Sequence, residues 1–401
     1  MKKPGQKHLS MNYYVILNNP QGANIMSKVL ELTQQLIACP SVTPDDAGCQ
    51  GILIDRLQAV GFEITPLPFA DTTNLWARHG KNAPLLVLVG HTDVVPPGPL
   101  PRWTSEPFKP EIRDGYLYGR GATDMKSGLA AMICAAEAFV TAHPNHRGSI
   151  AFLITSDEEG HSLNGTVKVV DYLMKNGETI DWCLVGEASS EEQLGDTIKV
   201  GRRGSLGGIL TIYGKQGHIA YPQLADNPIH RALPALVELS TTPWDQGNEV
   251  FQPTSFQISN FQAGTGANNV IPGELKLLFN FRFSPVVTAE DLQQKVEMIL
   301  QRHQLKYELN WRVSAQPFFT PQGALLKATR EAVQEITGVA AHLSTVGGTS
   351  DGRFIAPTGA QVVEFGPCNR TAHQINEHIK VGDLEKLVQV YQRILELLFI
   401  E

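Results

Sequence analysis

The chain has 401 residues, of which 42% are apolar and 18% charged. That is an ordinary globular balance, which excludes collagen-like, low-complexity and disordered classes and leaves room for two or three domains. Lys and Arg total 33 against 40 Asp and Glu, a net charge of −7 with no basic block, so nucleic acid and acidic membrane surfaces are excluded as partners.

Residues 1–25 begin with Lys2 and Lys3 but hold no apolar run long enough for a signal core and no small-residue cleavage site, and read as a loose N-terminal extension rather than a secretory signal. The amphipathic pattern from Met26 (Val29, Leu30, Thr33, Leu36, Ile37) predicts a first helix ended by Pro40. Short apolar runs at Leu85–Val89, Ile150–Ile154, Trp182–Val185 and Gln361–Val363 predict buried strands, and the Ala-, Leu- and Met-rich stretch Lys126–Val140 predicts a helix between two of them. These runs are far too short to span a bilayer. Strands alternating with helices predict an α/β layer with a mixed, largely parallel sheet, whose ligands bind outside the carboxyl ends of the strands.

The middle of the chain follows another pattern. A Gly-punctuated strand is predicted at Ser205–Tyr213, a helix at Pro228–Ser240, and strands at Thr254–Phe261 and Glu274–Phe283. In the last of these Leu275, Leu277, Phe279, Phe281 and Phe283 share one face. A helix at Thr288–His303 starts on a Thr288/Asp291 cap, and a strand follows at Leu305–Val313. The order β-α-β-β-α-β is a ferredoxin-like α+β unit. The predicted organisation is therefore an α/β domain from 26–203 and 317–401, interrupted by an inserted domain from 204–316. After Pro321 a helix at Leu325–Ile336, a Gly-rich loop, a strand and a last helix at Leu384–Leu397 complete the chain. Cys39, Cys49, Cys134, Cys183 and Cys368 are odd in number and contain no C-x-x-C pair. They predict reduced thiols, a cytoplasmic protein, and no Cys-based zinc site.

Polar residues collect just beyond the predicted strands. Gly90-His91-Thr92-Asp93 follows the first run, and His91 and Asp93 point to the same face. Gly119-Arg120-Gly121-Ala122-Thr123-Asp124 places Asp124 before a helix. Asp157-Glu158-Glu159, Glu187 and His373 follow the other runs. Each element alone is an ordinary loop or surface feature; their joint placement at strand ends points to a site. Imidazole with carboxylate and no thiolate suits zinc, cobalt or manganese in hydrolytic centres. Two histidines with three or four carboxylates exceed the needs of one catalytic zinc and match two metals sharing a carboxylate. In the pair Glu158-Glu159 one carboxylate would bind metal and the other handle protons.

The segments Gly90-His91-Thr92-Asp93-Val94-Val95-Pro96, Gly119 to Lys126, and Asp157-Glu158-Glu159-Gly160 resemble the dinuclear zinc aminoacylase/carboxypeptidase amidohydrolases, from Met26 onward. Val200 to Ser205, Gly264 to Pro272, Gly347 to Phe354 and Glu364 to His373 narrow the resemblance to members that hydrolyse the amide of an N-succinylated diamino diacid. The resemblance implies Asp124 as bridging ligand, His91 and Glu187 on one metal, Glu159 and His373 on the other, and Glu158 as general base and acid. It implies that Asp93 accepts a hydrogen bond from His91, that the Asp124–Met125 peptide is cis, and that the inserted domain serves as lid and homodimer interface. His218, on that domain, would reach the partner's site. Arg202, Ser205, Asn268, Arg282, Thr349 and Arg353 would meet a small substrate carrying three carboxylates. Arg202 alternatively pins the hinge into the insert. Deacylation of another N-acyl amino acid such as an acetylated ornithine, a metal-free binding role, and a Cys368–His373 nucleophile are the alternatives.

Overall fold

The computed structural model describes residues 27–400. The extension expected over 1–25, and Met26, lie outside the described residues. The chain builds an eight-stranded sheet in the order Glu63–Pro66, Asn74–His79, Ser149–Thr155, Leu85–His91, Trp182–Val185, Gln361–Glu364, Thr197–Lys199, His342–Ser344. Its centre is parallel from Ser149–Thr155 through Gln361–Glu364, and antiparallel strands flank that centre on both sides.

The apolar runs of the central strands are continuous because both faces are covered. Leu86, Leu88, Ile150, Phe152, Ile154 and Leu184 enter one core with the helices Lys28–Ala38, Lys126–Ala142, Ala324–Thr337 and Val381–Phe399. Leu85, Val87, Val89, Ala151, Leu153, Cys183 and Val185 enter a second core beneath Thr166–Lys175 and Gly352–Ile355. Lys126–Ala142 is buried almost all round; of its residues only Glu137, Thr141 and Ala142 escape full burial. Even Lys126 is buried, its Nζ donating to the carbonyls of Leu36 (2.7 Å) and Cys39 (2.9 Å). The helix is thus fixed at the end that follows Asp124.

Residues 204–315 form a separate antiparallel sheet in the order Ser255–Ala263, Glu274–Phe283, Gly204–Tyr213, Tyr307–Ala315. Helices Pro228–Thr241 and Ala289–Arg302 cover one face, and Leu206, Leu210, Ile212, Leu236, Leu275, Leu277, Phe279, Phe281, Phe283 and Val296 make its own core. The expected capping box of Thr288 and Asp291 is present. The glycines of the first strand have a steric reason. A Cβ at Gly204 or Gly208 would lie 2.3 or 2.2 Å from the rings of Phe283 and Phe279, their register partners. The chain enters and leaves this unit side by side, with Gly201–Arg202 paired to Phe318–Phe319. Among the described residues no helix is long and apolar enough to cross a membrane.

Candidate metal centre

The carboxyl ends of the parallel strands bring the chemistry together. His91 ends the strand Leu85–His91 and is buried. Its Nδ1 lies 2.8 Å from the main-chain carbonyl of Asp93. A carbonyl only accepts, so Nδ1 carries the proton and Nε2 keeps its lone pair. That Nε2 is buried with no hydrogen-bond partner. It faces Asp124 Oδ1 and Glu187 Oε1, each at 3.3 Å. An acceptor left so costs about 1–3 kcal/mol, and a cation seated between these three atoms would remove that cost.

Asp124 precedes the helix Lys126–Ala142 across a cis peptide to Met125, as the resemblance implies. Its second oxygen, Oδ2, lies 3.2 Å from His373 Nε2, which also lies 2.8 Å from Glu159 Oε1. Two donor triads therefore share one carboxylate: His91, Asp124, Glu187 and Asp124, Glu159, His373. This is the arrangement that two divalent cations require. Its electrostatics point the same way. Burial acts to raise the Asp124 pKa, but the bond from His373 and the proximity of His91 outweigh it and hold the carboxylate ionised. Bonds to Asp124 and Glu159 push His373 up to about 10, while burial and then Asp124 push Glu187 up to about 8. The cluster holds more negative charge than its protein neighbours offset, and cations would supply the balance.

Asp93 accepts the hydrogen bond from His91 through its main-chain carbonyl. Its carboxylate stands 3.5 Å from His91 Nδ1 and accepts the backbone N–H groups of Glu158 (3.3 Å) and Glu159 (3.0 Å). The tautomer of His91 is fixed by the Asp93 carbonyl, and the carboxylate orients the Glu158–Glu159 turn. Asp157, to which the sequence assigns no separate role, supports the same loop by accepting the N–H groups of Ser162, Leu163 and Asn164 at 2.9–3.1 Å.

Glu158 is outside both triads. Burial, then the nearby Glu187, pushes its carboxyl well above the usual range. Arg353 Nη1 lies 3.8 Å from its Oε1. Arg282 is half-buried; burial and then the proximity of Arg203 and Arg353 lower its pKa, so three guanidinium groups share this region. Arg202 is engaged elsewhere: Nε donates to Glu364 Oε2 at 2.9 Å, Nη2 to the same oxygen, and Nη1 to the Val346 carbonyl at 3.2 Å. Ser205 Oγ accepts from Asn280 Nδ2 at 3.1 Å, and Thr349 is half-buried in the loop after His342–Ser344.

His218 and Asn268 are not brought into the cluster. His218 is exposed on a short ribbon paired with Val270, its Nδ1 accepting from Ala220 N at 3.0 Å, and Asn268 lies in the exposed loop just before that ribbon. Cys368 is a poor nucleophile, since burial and then Asp383 push its thiol up to about 12.

Comparison with known proteins agrees with this geometry. The chain is 59% identical over 376 residues to a succinyl-diaminopimelate desuccinylase of Nitrosococcus oceani, covering 94% of this chain and all of that protein. It is 58% identical over 375 residues to one of Hahella chejuensis, covering 94% and 98%. Among solved structures, an M20-family metallo-carboxypeptidase from Sulfolobus solfataricus superposes with a TM-score of 0.81 at 19% identity, over 93% of this chain and 99% of that one. A dinuclear metal-binding M20 peptidase from Bacillus subtilis gives 0.69 at 17% identity, over 92% and 96%. Residues 87–397 match the model of peptidase family M20/M25/M40, and the chain belongs to that family.

Proposed function

We propose that this protein hydrolyses the amide bond of N-succinyl-L,L-2,6-diaminopimelate to succinate and L,L-2,6-diaminopimelate, a step of lysine and diaminopimelate biosynthesis. The observation that carries the reading is the identity of 59% across the whole length of proteins bearing that name, in a chain whose two donor triads are complete. The orphaned Nε2 of His91 supports resident metal. His91, Asp124 and Glu187 would hold one divalent ion and Asp124, Glu159 and His373 the other; zinc is the first choice, with cobalt or manganese compatible with the same donors.

Divalent ions bound there would supply Lewis acidity toward the amide carbonyl and lower the pKa of a water. The chain's own residues do the rest. Glu158, whose ionised form is favoured once cations held by the two triads offset the charge of Glu187, takes a proton from the attacking water as the water oxygen bonds to the succinyl carbonyl carbon. The C–N bond then breaks as Glu158 passes that proton to the departing amine. Arg353, against Glu158, and Arg282 are suited to the substrate carboxylates. Asp93 holds His91 and the Glu158–Glu159 turn in place.

Residues 26–203 with 317–401 act as the catalytic domain and 204–316 as a lid and homodimer unit, a division favoured by the separate apolar core of the insert. His218 then serves the partner's site, Asn268 and Thr349 line the closed site, and the protein works in the cytoplasm. Turnover of the succinylated substrate beside N-acetylornithine tests the reading; preference for the acetylated compound would replace it with a deacetylase.

A further inference from the structure

One buried carboxylate belongs to neither triad and is bonded to the loop that carries Asp124. Glu377 lies four residues beyond His373 and is fully buried. Its Oε1 accepts the backbone N–H groups of Thr123 (2.8 Å) and Asp124 (3.0 Å). Its Oε2 accepts the backbone N–H of Gly121 (2.9 Å) and Nη1 of Arg120 (2.8 Å). Its own carbonyl accepts from Gly119 N at 3.0 Å. Arg120 Nη1 in turn donates to the Gln374 carbonyl at 3.2 Å, and its Nη2 to the His373 carbonyl at 3.5 Å. Thr123 Oγ1 and Thr371 Oγ1, 3.0 Å apart, both contact the His378 carbonyl, at 2.9 and 2.8 Å.

We infer that Glu377 is a positioning residue that sets the register between the loop bearing Asp124 and the segment bearing His373, and thereby the affinity of the Asp124–Glu159–His373 triad for its metal; this rests on the metal-centre reading above. The backbone around His373 gives reason for such a strap. His373 and Asn376 both have left-handed backbone, φ 62° and 60°, a conformation uncommon outside glycine, though His and Asn adopt it more readily than most residues. Both oxygens of Glu377 are needed. An amide at this position keeps one acceptor but turns its NH₂ toward Arg120 and the Gly121 N–H, donor against donor.

The test is calorimetric titration of the metal-free protein with Zn²⁺, on wild type, Glu377→Gln and His373→Ala. The His373→Ala protein identifies which binding step belongs to the second triad. In Glu377→Gln that same step weakens by ten- to a hundredfold, the range for residues that orient metal ligands, while the other step stays within about threefold. With succinylated substrate at limiting metal, kcat falls while KM stays within about twofold, and excess Zn²⁺ restores more than half of kcat. A folded Glu377→Gln protein that binds both ions as wild type does overturns the inference, as does equal weakening of both steps. Should Glu377→Gln fail to fold, Thr371→Val decides: it removes the hydroxyl's bonds to Thr123 Oγ1, the His378 carbonyl and the His378 N–H and leaves the Arg120–Glu377 pair intact, with a threefold or larger loss expected in the same step and no loss overturning the inference. The metal titration reads no substrate, so it stands whichever amide the enzyme turns over.

Discussion

Replacing Arg202 by Met separates two roles that its position in the chain allows. Glu364 is fully buried, and Arg202 meets its Oε2 through both Nε and Nη2, while Ser350 Oγ donates to Oε1. Arg202→Met leaves a buried carboxylate with one hydroxyl partner. Breaking a buried ion pair from one side costs about 3–5 kcal/mol, which for a domain of this size lowers Tm on the order of 5–10 °C. The double variant Arg202→Met, Glu364→Leu removes both charges, and apolar replacement of a whole buried pair is often near neutral, so it recovers most of the loss. The assay is thermal unfolding by circular dichroism at fixed metal concentration, beside KM at a temperature where both variants are folded. The hinge-pin reasoning predicts a lowered Tm, its recovery in the double variant, and KM within about threefold of wild type. An Arg202→Met protein with unchanged Tm and a KM raised tenfold or more refutes it and returns Arg202 to the substrate-binding set.

Glu158→Gln keeps the shape of the side chain and removes the proton carrier; turnover falls by about 10²–10⁴-fold, the span for general acid–base groups, while metal content by elemental analysis stays at the wild-type value. Chelation of the metals abolishes activity and lowers Tm, because ions that bind only the folded state stabilise it by mass action; Zn²⁺ restores both, and activity that survives complete metal removal would revive a nucleophilic Cys368. His218→Ala lowers kcat at least tenfold with metal content unchanged if His218 acts across a dimer. Mixing that variant with Glu158→Gln then regains part of the activity, which a wholly intrachain site would not allow.

The strands that carry the site are legible in the chain because both sheet faces are covered. Leu85–Val89 and Ile150–Ile154 can be apolar at every position, and their ends then mark where polar residues must cluster. The inserted sheet is legible for the opposite reason: Glu274–Phe283 buries one face only and alternates cleanly. The helix Cys49–Ala59 escapes the reading because it buries only Cys49, Gln50, Leu53 and Leu57, one of them polar, behind a glycine that supplies no side-chain cap. The strand Asn74–His79 escapes because its buried Asn74 donates to the Leu67 and Asn164 carbonyls, partners 7 and 90 positions away that no strand periodicity records. The same limit hides Glu377, whose main-chain donors lie more than 250 positions earlier. It also hides the pairing of Arg202 with Glu364, 162 positions apart. Ligand identity is written in strand ends and residue type; the contacts that hold those ligands still are made by the fold.

The most direct test of the account is a side-by-side measurement of kcat/KM on N-succinyl-L,L-2,6-diaminopimelate and N-acetylornithine, with metal stoichiometry determined on the same protein. The account predicts close to two divalent ions per chain at full activity and a preference for the succinylated substrate of at least a hundredfold. Full activity with one ion or none, or a preference for N-acetylornithine, would contradict it.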